Sequence, residues 1–600
     1  MRIHNAIPSA ALLSVLAGSS AAAGGYKNFT VSVYARAYEV RQMKDPAWLE
    51  QRWSAIEKQV RVGKVYLETH RDFVMPDEET IEKAKRFFAA RGIRTAGGIT
   101  FTQNERDRFK TFCYSDPALR KKAREIAELT ARHFDEIILD DFFFTNCKCD
   151  ACIRAKGSKS WTQFRLELMD EAARNLVVGP AKAVNPRVKF VIKFPNWYEH
   201  FQYLGFDLEN EPKIFDGIYT GTETRDPDFS DQHLQPYEGY SIFRYFENVK
   251  PGGNGGGWVD PFGRRTLDRY GEQLWLTLFA KAPEITLFDF RSLIEPVRSD
   301  DGTEKPDTML GRAAGYVFDT VDGFIGKLGK PVGIKSYKPY QSSGEDFLHN
   351  YIGMLGIPIE LTPVFPAEEK TILLTESAKF DPGIVGKIKG QLQAGRNVVI
   401  TSGLLRALQG KGIEDIAELE CTDHRVAASD FWQPWRPAIW HADAPILVPQ
   451  IRYPTNDAWE LVSALNSGTG FPILLDAGYS TGHLYVLTIP DNFGDLYRMP
   501  APALTRIKEV LMNDLPVRVE SPAQVALFLY DNDSFIVESF QAQGSQVTIV
   551  TDPRIARLRD LRSGQVLAGQ ARGNSMTFDA PILPHSYRVF AADVLPSRDR

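Results

Sequence analysis

The chain has 600 residues, of which 43% are hydrophobic and 24% are charged, values typical of a folded globular protein rather than a disordered one. A chain of this length predicts about two to four domains. The net charge of -5 gives no support to nucleic-acid binding, which favours a basic surface. No apolar run beyond the amino terminus approaches the ~20 residues of a membrane span, so we expect no membrane partner.

Residues 1–23 have the pattern of a secretory signal peptide. A weakly basic start is followed by a modest apolar run and a small-residue end, with cleavage predicted near Ala23. We therefore expect a soluble protein that is secreted or periplasmic.

From Phe29 onward, short apolar strands alternate with amphipathic helices, a pattern that favours a parallel sheet. Eight strands are predicted: Phe29–Ala35, Lys64–Glu68, Arg94–Thr100, Asp135–Asp141, Lys189–Phe194, Phe215–Tyr219, Ser241–Phe246 and Glu284–Phe288. Eight such units over roughly three hundred residues favour a (β/α)8 TIM barrel, and a doubly wound open sheet fits less well because it usually has fewer strands. The predicted barrel covers residues 24–328.

Two further domains are predicted after the barrel. Residues 329–515 alternate short apolar strands with helices, which indicates a flavodoxin-like α/β domain. The strand Val398–Ser402 runs into Gly403 without a cysteine nucleophile, so we interpret this domain as catalytically silent. Residues 516–600 alternate apolar and polar residues between turns, which predicts a small β-sandwich.

Polar side chains gather where the predicted barrel strands end, the place where this fold keeps its chemistry. The fourth strand ends in the adjacent acids Asp140 and Asp141. Seven other candidates for the substrate site follow the strand ends: Arg36, Glu68, Asn196, Trp197, Glu223, Asp289 and Arg291. Glu247 follows the predicted seventh strand. The glycine-rich stretch Pro251–Trp258 is interpreted as a mobile lid or a wall of the cleft.

The cysteines form an unusual pattern for an exported protein, in which disulfides are the first expectation. Cys147, Cys149 and Cys152 lie within six residues, too close for comfortable pairing, and the total of five is odd. With Cys113 they could form a closed, tetrahedral four-cysteine zinc site of structural type. We favour zinc over disulfides and expect no catalytic cofactor.

With these features in place, the chain resembles the β-galactosidases of glycoside hydrolase family 42. In that family the fourth strand ends in Asn-Glu and is followed closely by Cys-x-Cys-x-x-Cys, with a fourth zinc cysteine upstream. Asp140-Asp141, the three clustered cysteines and Cys113 match these features, and Tyr245-Phe246-Glu247-Asn248 resembles the end of the seventh strand. The order of the three domains also matches, and it implies a homotrimer.

The resemblance implies a retaining β-glycosidase that acts on an oligo- or polysaccharide. Position by position, Asp141 falls at the acid/base position and Glu247 at the nucleophile position, and two such carboxyls about 5–5.5 Å apart allow double displacement. The chain departs from the family where Asp-Asp replaces Asn-Glu, which removes the amide expected at position 140.

Two other functions compete with this interpretation. In some retaining α-glycosidases, an aspartate of the fourth strand is the nucleophile and an acid of the sixth strand is the acid/base. Asp140 or Asp141 with Glu223 would fit that arrangement, with Glu247 as a substrate-binding residue. A carbohydrate-binding protein without catalysis is the second alternative, favoured by the atypical Asp-Asp pair.

Overall fold

The computed structural model describes residues 25–594, apart from 197–198, 227–229, 231, 233, 263–265, 295 and 299–303. The predicted signal peptide of residues 1–23 therefore lies outside the described residues. Eight parallel strands close into a barrel, so the predicted TIM barrel is confirmed. They are β1 (Thr30–Ala35), β2 (Lys64–His70), β3 (Arg94–Ile99), β4 (Glu136–Leu139), β5 (Lys189–Phe194), β6 (Gly217–Gly221), β7 (Asn254–Val259) and β8 (Glu284–Phe288).

Helices surround the barrel and cover its apolar outer face. They are Ala37–Gln42, Pro46–Glu57, Glu78–Ala89, Pro117–His133, Asp150–Lys156, Trp161–Ala172, Gly179–Val184, Glu211–Ile214, Glu238–Val249, Leu267–Phe279 and Leu310–Asp322. Asp45, Asp77 and Asp116 start three of them by accepting hydrogen bonds from backbone N–H groups of the first turn. A short hairpin of Thr102–Asn104 and Lys110–Thr111 extends the loop after β3.

The seventh strand is not where the sequence predicted it. Ser241–Phe246 belongs to the helix Glu238–Val249. The glycine-rich stretch interpreted as a mobile lid or a wall of the cleft forms β7 instead of a lid, and its Trp258 lines the pocket. Glycine is needed there because the neighbours fill the space of a side chain: a Cβ on Gly256 would lie 2.5 Å from the Tyr219 hydroxyl. Tertiary packing therefore overrides the low strand propensity of this segment.

The second domain contains a nine-stranded mixed sheet. Its five neighbouring parallel strands, in spatial order, are Ile359–Thr362, Ile334–Tyr337, Thr371–Leu374, Asn397–Thr401 and Gly482–Leu487. Four antiparallel strands extend this sheet: Thr469–Tyr479, Ala458–Asn466, Glu420–Trp432 and Ile439–Arg452. The helices are Leu348–Met354, Ile384–Gln393, Ser402–Leu408 and Ala501–Leu511. The α/β half resembles the predicted flavodoxin-like domain, whereas most of the antiparallel half was not predicted.

The carboxyl-terminal residues form two packed antiparallel sheets. Their strands are Val517–Glu520, Val525–Tyr530, Ser534–Ser539, Ser545–Thr551, Ile555–Asp560, Val566–Ala568, Gln570–Arg572, Ser575–Ile582 and Ser586–Val594. Tyr237 and Phe279 of the barrel pack against Phe528, so the sandwich shares a core with the barrel. Among the described residues, no helix is long and apolar enough to cross a membrane.

Candidate active site

A pocket of about 360 Å³ opens at the carboxyl ends of the barrel strands. Acids, cations and aromatic rings from all eight strands or the segments that follow them line it: Arg36, Arg71, Glu105, Phe109, Asp140, Asp141, Phe142, Lys193, Glu223, Arg225, Trp258, Asp260, Phe262 and Phe288. This is the face on which TIM-barrel enzymes carry their catalytic groups. Four predicted site residues, Arg36, Asp140, Asp141 and Glu223, are therefore brought together.

Asp140 is held in place by hydrogen bonds and ion pairs on both of its carboxylate oxygens. Its Oδ2 accepts from Arg71 Nη2 at 2.9 Å and from the Thr100 hydroxyl at 3.1 Å, while Oδ1 accepts from the Asp141 N–H at 2.9 Å. Although burial opposes ionisation, Lys193 and Arg71 lower the pKa of Asp140. Asp140 is thus an ionised residue that fixes the end of β4.

Asp141, Lys193 and Glu223 form a buried cluster at the base of the pocket. Lys193 Nζ lies 2.7 Å from Asp141 Oδ2 and 3.5 Å from Glu223 Oε1, and the three side chains are at most 3% exposed. The same ammonium lies 4.5 Å from the ring centroid of Trp258, a cation–π contact. Neither oxygen of Glu223 has a hydrogen-bond partner among the described residues, so both remain available to a ligand.

The environments of the two acids separate their ionisation. Burial raises the pKa of Asp141 to about 6, with Asp140 adding to the effect and Lys193 opposing it. Burial also raises the pKa of Glu223 to about 8, and there Asp260 and Asp141 add to the effect while Lys193 again opposes it. Near pH 7, Asp141 is therefore ionised and Glu223 carries a proton, a division that suits a base or nucleophile beside an acid.

Asp260 follows β7 directly and lines the opposite side of the pocket. Arg225 holds both of its oxygens, with Nε 3.1 Å from Oδ1 and Nη2 2.8 Å from Oδ2. The Phe262 N–H donates a further hydrogen bond to Oδ1 at 3.0 Å. Both oxygens of Asp260 are therefore engaged, in contrast to those of Glu223, which lack such partners among the described residues.

Three predicted substrate-binding residues lie behind the pocket and support it. Glu68 accepts hydrogen bonds from Tyr34, Arg71, Thr100 and the Ala37 N–H. Asp289 forms an ion pair with Arg36 at 2.8 Å. Asn196 donates to the Glu223 carbonyl at 2.7 Å. All three are fully buried and absent from the pocket lining.

The other predicted site residues are not in the pocket. Glu247 lies on the helix Glu238–Val249, accepts a hydrogen bond from the Gly252 N–H at 2.9 Å and does not line the pocket, so the structure does not support its predicted role as the nucleophile. The sequence placed Glu247 at the end of a seventh strand that the structure forms elsewhere. Arg291 is exposed and does not line the pocket. Trp197 lies outside the described residues.

The predicted site residues did not include five charged residues of the pocket: Arg71, Glu105, Lys193, Arg225 and Asp260. Lys193 interrupts the apolar strand Lys189–Phe194 one residue before its end, a signal that could have drawn attention to it. Asp260 follows the true seventh strand and was hidden by the error in that strand. Arg71 and Arg225 follow the ends of β2 and β6, but the sequence does not reveal that they pair with pocket acids.

Four cysteines from two segments of the chain lie together. Cys113 precedes the helix Pro117–His133, whereas Cys147, Cys149 and Cys152 follow β4. The Sγ atoms of Cys113, Cys147, Cys149 and Cys152 all lie within 4.8 Å of one another, and none is in a disulfide. The Sγ atoms of Cys113 and Cys152 are 3.5 Å apart, and those of Cys149 and Cys152 are 3.7 Å apart. Four ligands ~2.3 Å from a tetrahedral zinc ion would be separated by ~3.8 Å. The donor set therefore fits a metal ion of this kind.

Family models match all three parts of the chain. The model described as "Probable glycosyl hydrolase, catalytic domain" matches residues 18–325, and "Probable glycosyl hydrolase, C-terminal domain" matches residues 516–592. The second domain of the uncharacterized protein SSO3021 matches residues 329–492. The chain belongs to this glycosyl hydrolase family and is a glycoside hydrolase.

The similarity extends over nearly the whole chain. Uncharacterized protein SSO3021 of Saccharolobus solfataricus is 24% identical over 90% of this chain and 96% of its own length. The solved GH42 β-galactosidase Gan42B from G. stearothermophilus has a TM-score of 0.63 at 11% identity, covering 95% of this chain and 98% of its own. The β-galactosidase of Bacillus circulans sp. alkalophilus has a TM-score of 0.59 at 11% identity, with coverage of 94% and 99%. These structures share the GH42 fold with this chain.

Proposed function

We propose that this glycoside hydrolase retains anomeric configuration and uses Asp141 as the nucleophile and Glu223 as the acid/base. The observation that carries the proposal is the pair of acids on either side of Lys193, one ionised and one protonated near pH 7. The sequence left open a strand-four aspartate as the nucleophile with Glu223 as the acid/base, and the proposed pair has this arrangement. The pair Asp141 and Glu223 replaces the pair Asp141 and Glu247.

The spacing of the two acids supports retention. Because Lys193 Nζ is 2.7 Å from one carboxylate oxygen and 3.5 Å from the other, these two oxygens lie at most about 6 Å apart. Retaining enzymes hold their carboxyls about 5–5.5 Å apart, whereas inverting enzymes need about 6.5–9.5 Å to admit a water molecule. This bound on one pair of oxygens is compatible with the retaining spacing.

The proposed reaction has two steps. Glu223 gives its proton to the glycosidic oxygen while Asp141 attacks the anomeric carbon, so the leaving group departs and a glycosyl ester forms on Asp141. The Glu223 carboxylate then takes a proton from water, whose oxygen attacks the anomeric carbon and frees Asp141. Lys193 favours the ionised form of Asp141 before it attacks and after it is released from the ester.

Asp260 is the competing nucleophile, because it occupies the end of the seventh strand and lines the pocket. Its two oxygens are engaged by Arg225, which favours the role of fixing that side of the pocket. Azide rescue distinguishes Asp141 from Asp260 as the nucleophile. With Asp141→Gly, azide should restore turnover and give a glycosyl azide of inverted configuration, whereas restoration by azide in Asp260→Gly would contradict the assignment.

The choice of sugar and anomer is tested with a panel of aryl α- and β-glycosides, with the configuration of the released sugar followed by NMR. β-Galactosides are included first because of the family resemblance. Retention on any member supports the two-step reaction. Inversion on the hydrolysed substrates would contradict it.

We further propose that the four-cysteine cluster binds one structural zinc ion. The spacing of the sulfur atoms supports this, and the ion would hold the loop that follows Asp141. Metal analysis should find about one zinc per chain, and Cys152→Ser should lose it and lower the melting temperature. Cys421→Ser, outside the cluster, is the matched control. Disulfides among the four cysteines in pure protein would contradict the proposal.

Secretion and assembly also remain proposals. The signal-like residues 1–23 support export, which is tested by sequencing the amino terminus of the protein recovered from outside the cytoplasm. The resemblance to family 42 supports a homotrimer, which is tested by light scattering coupled to gel filtration.

A further inference from the structure

Two phenylalanines stand exposed at the mouth of the pocket. Phe109 is 54% exposed and Phe262 is 43% exposed, and both line the pocket that holds Asp141 and Glu223. Exposed apolar side chains that line one cleft indicate a surface that binds an apolar group. They are not used by the chemistry proposed above.

Each exposed ring is backed by a second aromatic ring. Phe109 stacks on Phe142, with ring centroids 5.5 Å apart and planes 21° apart. Phe262 packs edge-on against Phe288, with centroids 6.1 Å apart and planes 68° apart. Because the second ring supports the exposed one, each pair forms a continuous aromatic surface. We call the pairs Phe109–Phe142 and Phe262–Phe288 the two aromatic walls.

The two walls stand on opposite sides of the pocket. Phe109 and Phe142 follow β3 and β4, whereas Phe262 follows β7 and Phe288 ends β8. In the closed barrel β3 and β7 are four strands apart, as are β4 and β8, so each pair lies across the barrel axis. A flat group that enters the pocket therefore passes between two aromatic walls.

The polar groups lie deeper than these walls. The base of the pocket carries Asp140, Asp141, Lys193 and Glu223, all nearly buried. The fully buried Glu68 lies behind this base. The volume of about 360 Å³ is near the small end of the range for small-molecule sites. A pocket of this size, with the aromatic walls included, suits one terminal sugar and a small group attached to it rather than the interior of a polymer.

We infer that the enzyme removes a terminal sugar from an aromatic aglycone, so that the substrate is an aryl glycoside such as a phenolic one. The sugar occupies the polar base, and the aglycone ring lies between the walls of Phe109 and Phe262. Phenylalanine rings stack on flat apolar groups but offer no hydrogen bonds to the hydroxyls of a second sugar. This inference rests on the proposed function, because it places the scissile bond beside Asp141 and Glu223.

The test compares three substrates with the same terminal sugar and anomer: a 4-nitrophenyl glycoside, a methyl glycoside and a disaccharide. In Phe109→Ala and Phe262→Ala, the ratio of kcat/KM for the aryl glycoside to that for the methyl glycoside should fall about threefold to tenfold, the range expected for one lost ring contact. The matched control is Phe380→Ala, which removes a 46% exposed phenylalanine of the second domain and should leave the ratio unchanged.

Three results would overturn the inference. The first is an unchanged ratio in both pocket variants. The second is a larger loss on the disaccharide than on the aryl glycoside, which would assign the walls to a second sugar ring. The third is a wild-type enzyme that hydrolyses the disaccharide but no aryl glycoside.

Failure of this inference is distinguishable from failure of the proposed function. Binding of the 4-nitrophenyl and methyl glycosides to Glu223→Gln protein, measured by calorimetry, reports the aromatic walls without any turnover. A preference for the aryl ligand that Phe109→Ala removes supports the inference, and equal affinities contradict it. Full activity of Glu223→Gln would instead overturn the catalytic assignment.

Discussion

The two ends of the barrel each hold a buried lysine between carboxylates, but the two clusters differ in how their oxygens are used. At the amino-terminal end, Lys64 contacts Glu136 and Glu284, and Glu284 Oε1 also accepts from the hydroxyls of Ser32, Tyr66 and Tyr219. At the carboxyl end, Lys193 contacts Asp141 and Glu223, and both oxygens of Glu223 lack a hydrogen-bond partner among the described residues.

The difference shows that a buried charged cluster alone does not identify an active site. In the Lys64 cluster, tyrosine and serine hydroxyls bond to Glu284. Lys64 and Glu136 also line a surface pocket, but this cluster belongs to the face that stabilises a TIM barrel. The Lys193 cluster opens into a pocket and leaves one acid without hydrogen-bond partners, an arrangement that costs stability and is expected where chemistry occurs. The following predictions test this contrast, from the largest expected effect to the smallest.

Removing either acid of the Lys193 cluster should abolish most turnover. Asp141→Asn and Glu223→Gln are each expected to lower kcat by about a thousandfold or more, because each removes a group that bonds to or protonates the substrate. The far-ultraviolet circular dichroism spectrum should be unchanged. Glu136→Gln, the matched change at the opposite end of the barrel, should retain kcat. A comparable loss of kcat in Glu136→Gln would show that the Lys64 and Lys193 clusters do not differ in catalytic role.

Breaking the Lys64 cluster should instead reduce stability. Lys64→Met leaves Glu284 and Glu136 without their buried cation, a change expected to lower the free energy of unfolding by about 3–5 kcal/mol. Denaturant unfolding followed by tryptophan fluorescence measures this effect. The folded variant should keep its kcat, and a variant that is fully stable but inactive would place catalytic chemistry at the wrong end of the barrel.

The pH dependence of activity should reflect the ionisation of both acids of the Lys193 cluster. Asp141 must be ionised, so activity should fall as the pH drops below about 6, and Glu223 must be protonated, so activity should fall as the pH rises above about 8. Each limb should approach about a tenfold change per pH unit. A profile of kcat/KM from pH 4 to pH 10 checks this, and activity that persists undiminished at pH 10 would exclude Glu223 as the acid.

The smallest effect is expected at Glu247. Because its side chain lies on the helix Glu238–Val249 and bonds to the Gly252 N–H, Glu247→Ala should change kcat by less than about twofold. Steady-state kinetics on the best substrate of the panel measures this. A loss comparable with that of Asp141→Asn would restore Glu247 as a catalytic candidate.

The sequence predicted the parts of the fold that have local signals. The apolar run that ends in Asp140 and Asp141 is a buried strand followed by acids, and the structure places both acids at the pocket. β7 could not be predicted in this way, because its glycines are required by Tyr219 and other neighbours that are distant in sequence. The strand Glu420–Trp432 mixes polar and apolar residues on both faces, so its alternation was too weak to detect.

The roles within the site depend on contacts that no local pattern contains. Asp140 and Asp141 are adjacent and chemically identical, yet Asp140 lies beside the two cations Arg71 and Lys193, whereas Asp141 pairs with Lys193. At Asp140 these cations outweigh burial and lower the pKa, whereas at Asp141 burial outweighs Lys193 and raises the pKa. The sequence could therefore identify the pair but not the working acid.

The most direct test of the catalytic assignment is to trap the glycosyl-enzyme intermediate. The protein is treated with a 2-deoxy-2-fluoro glycosyl fluoride of the sugar and anomer that it hydrolyses, and the labelled peptide is then identified by mass spectrometry. We predict a glycosyl ester on Asp141. A label on Asp260 or on Glu247 would contradict the account and move the nucleophile to the seventh strand or to the helix that follows β6.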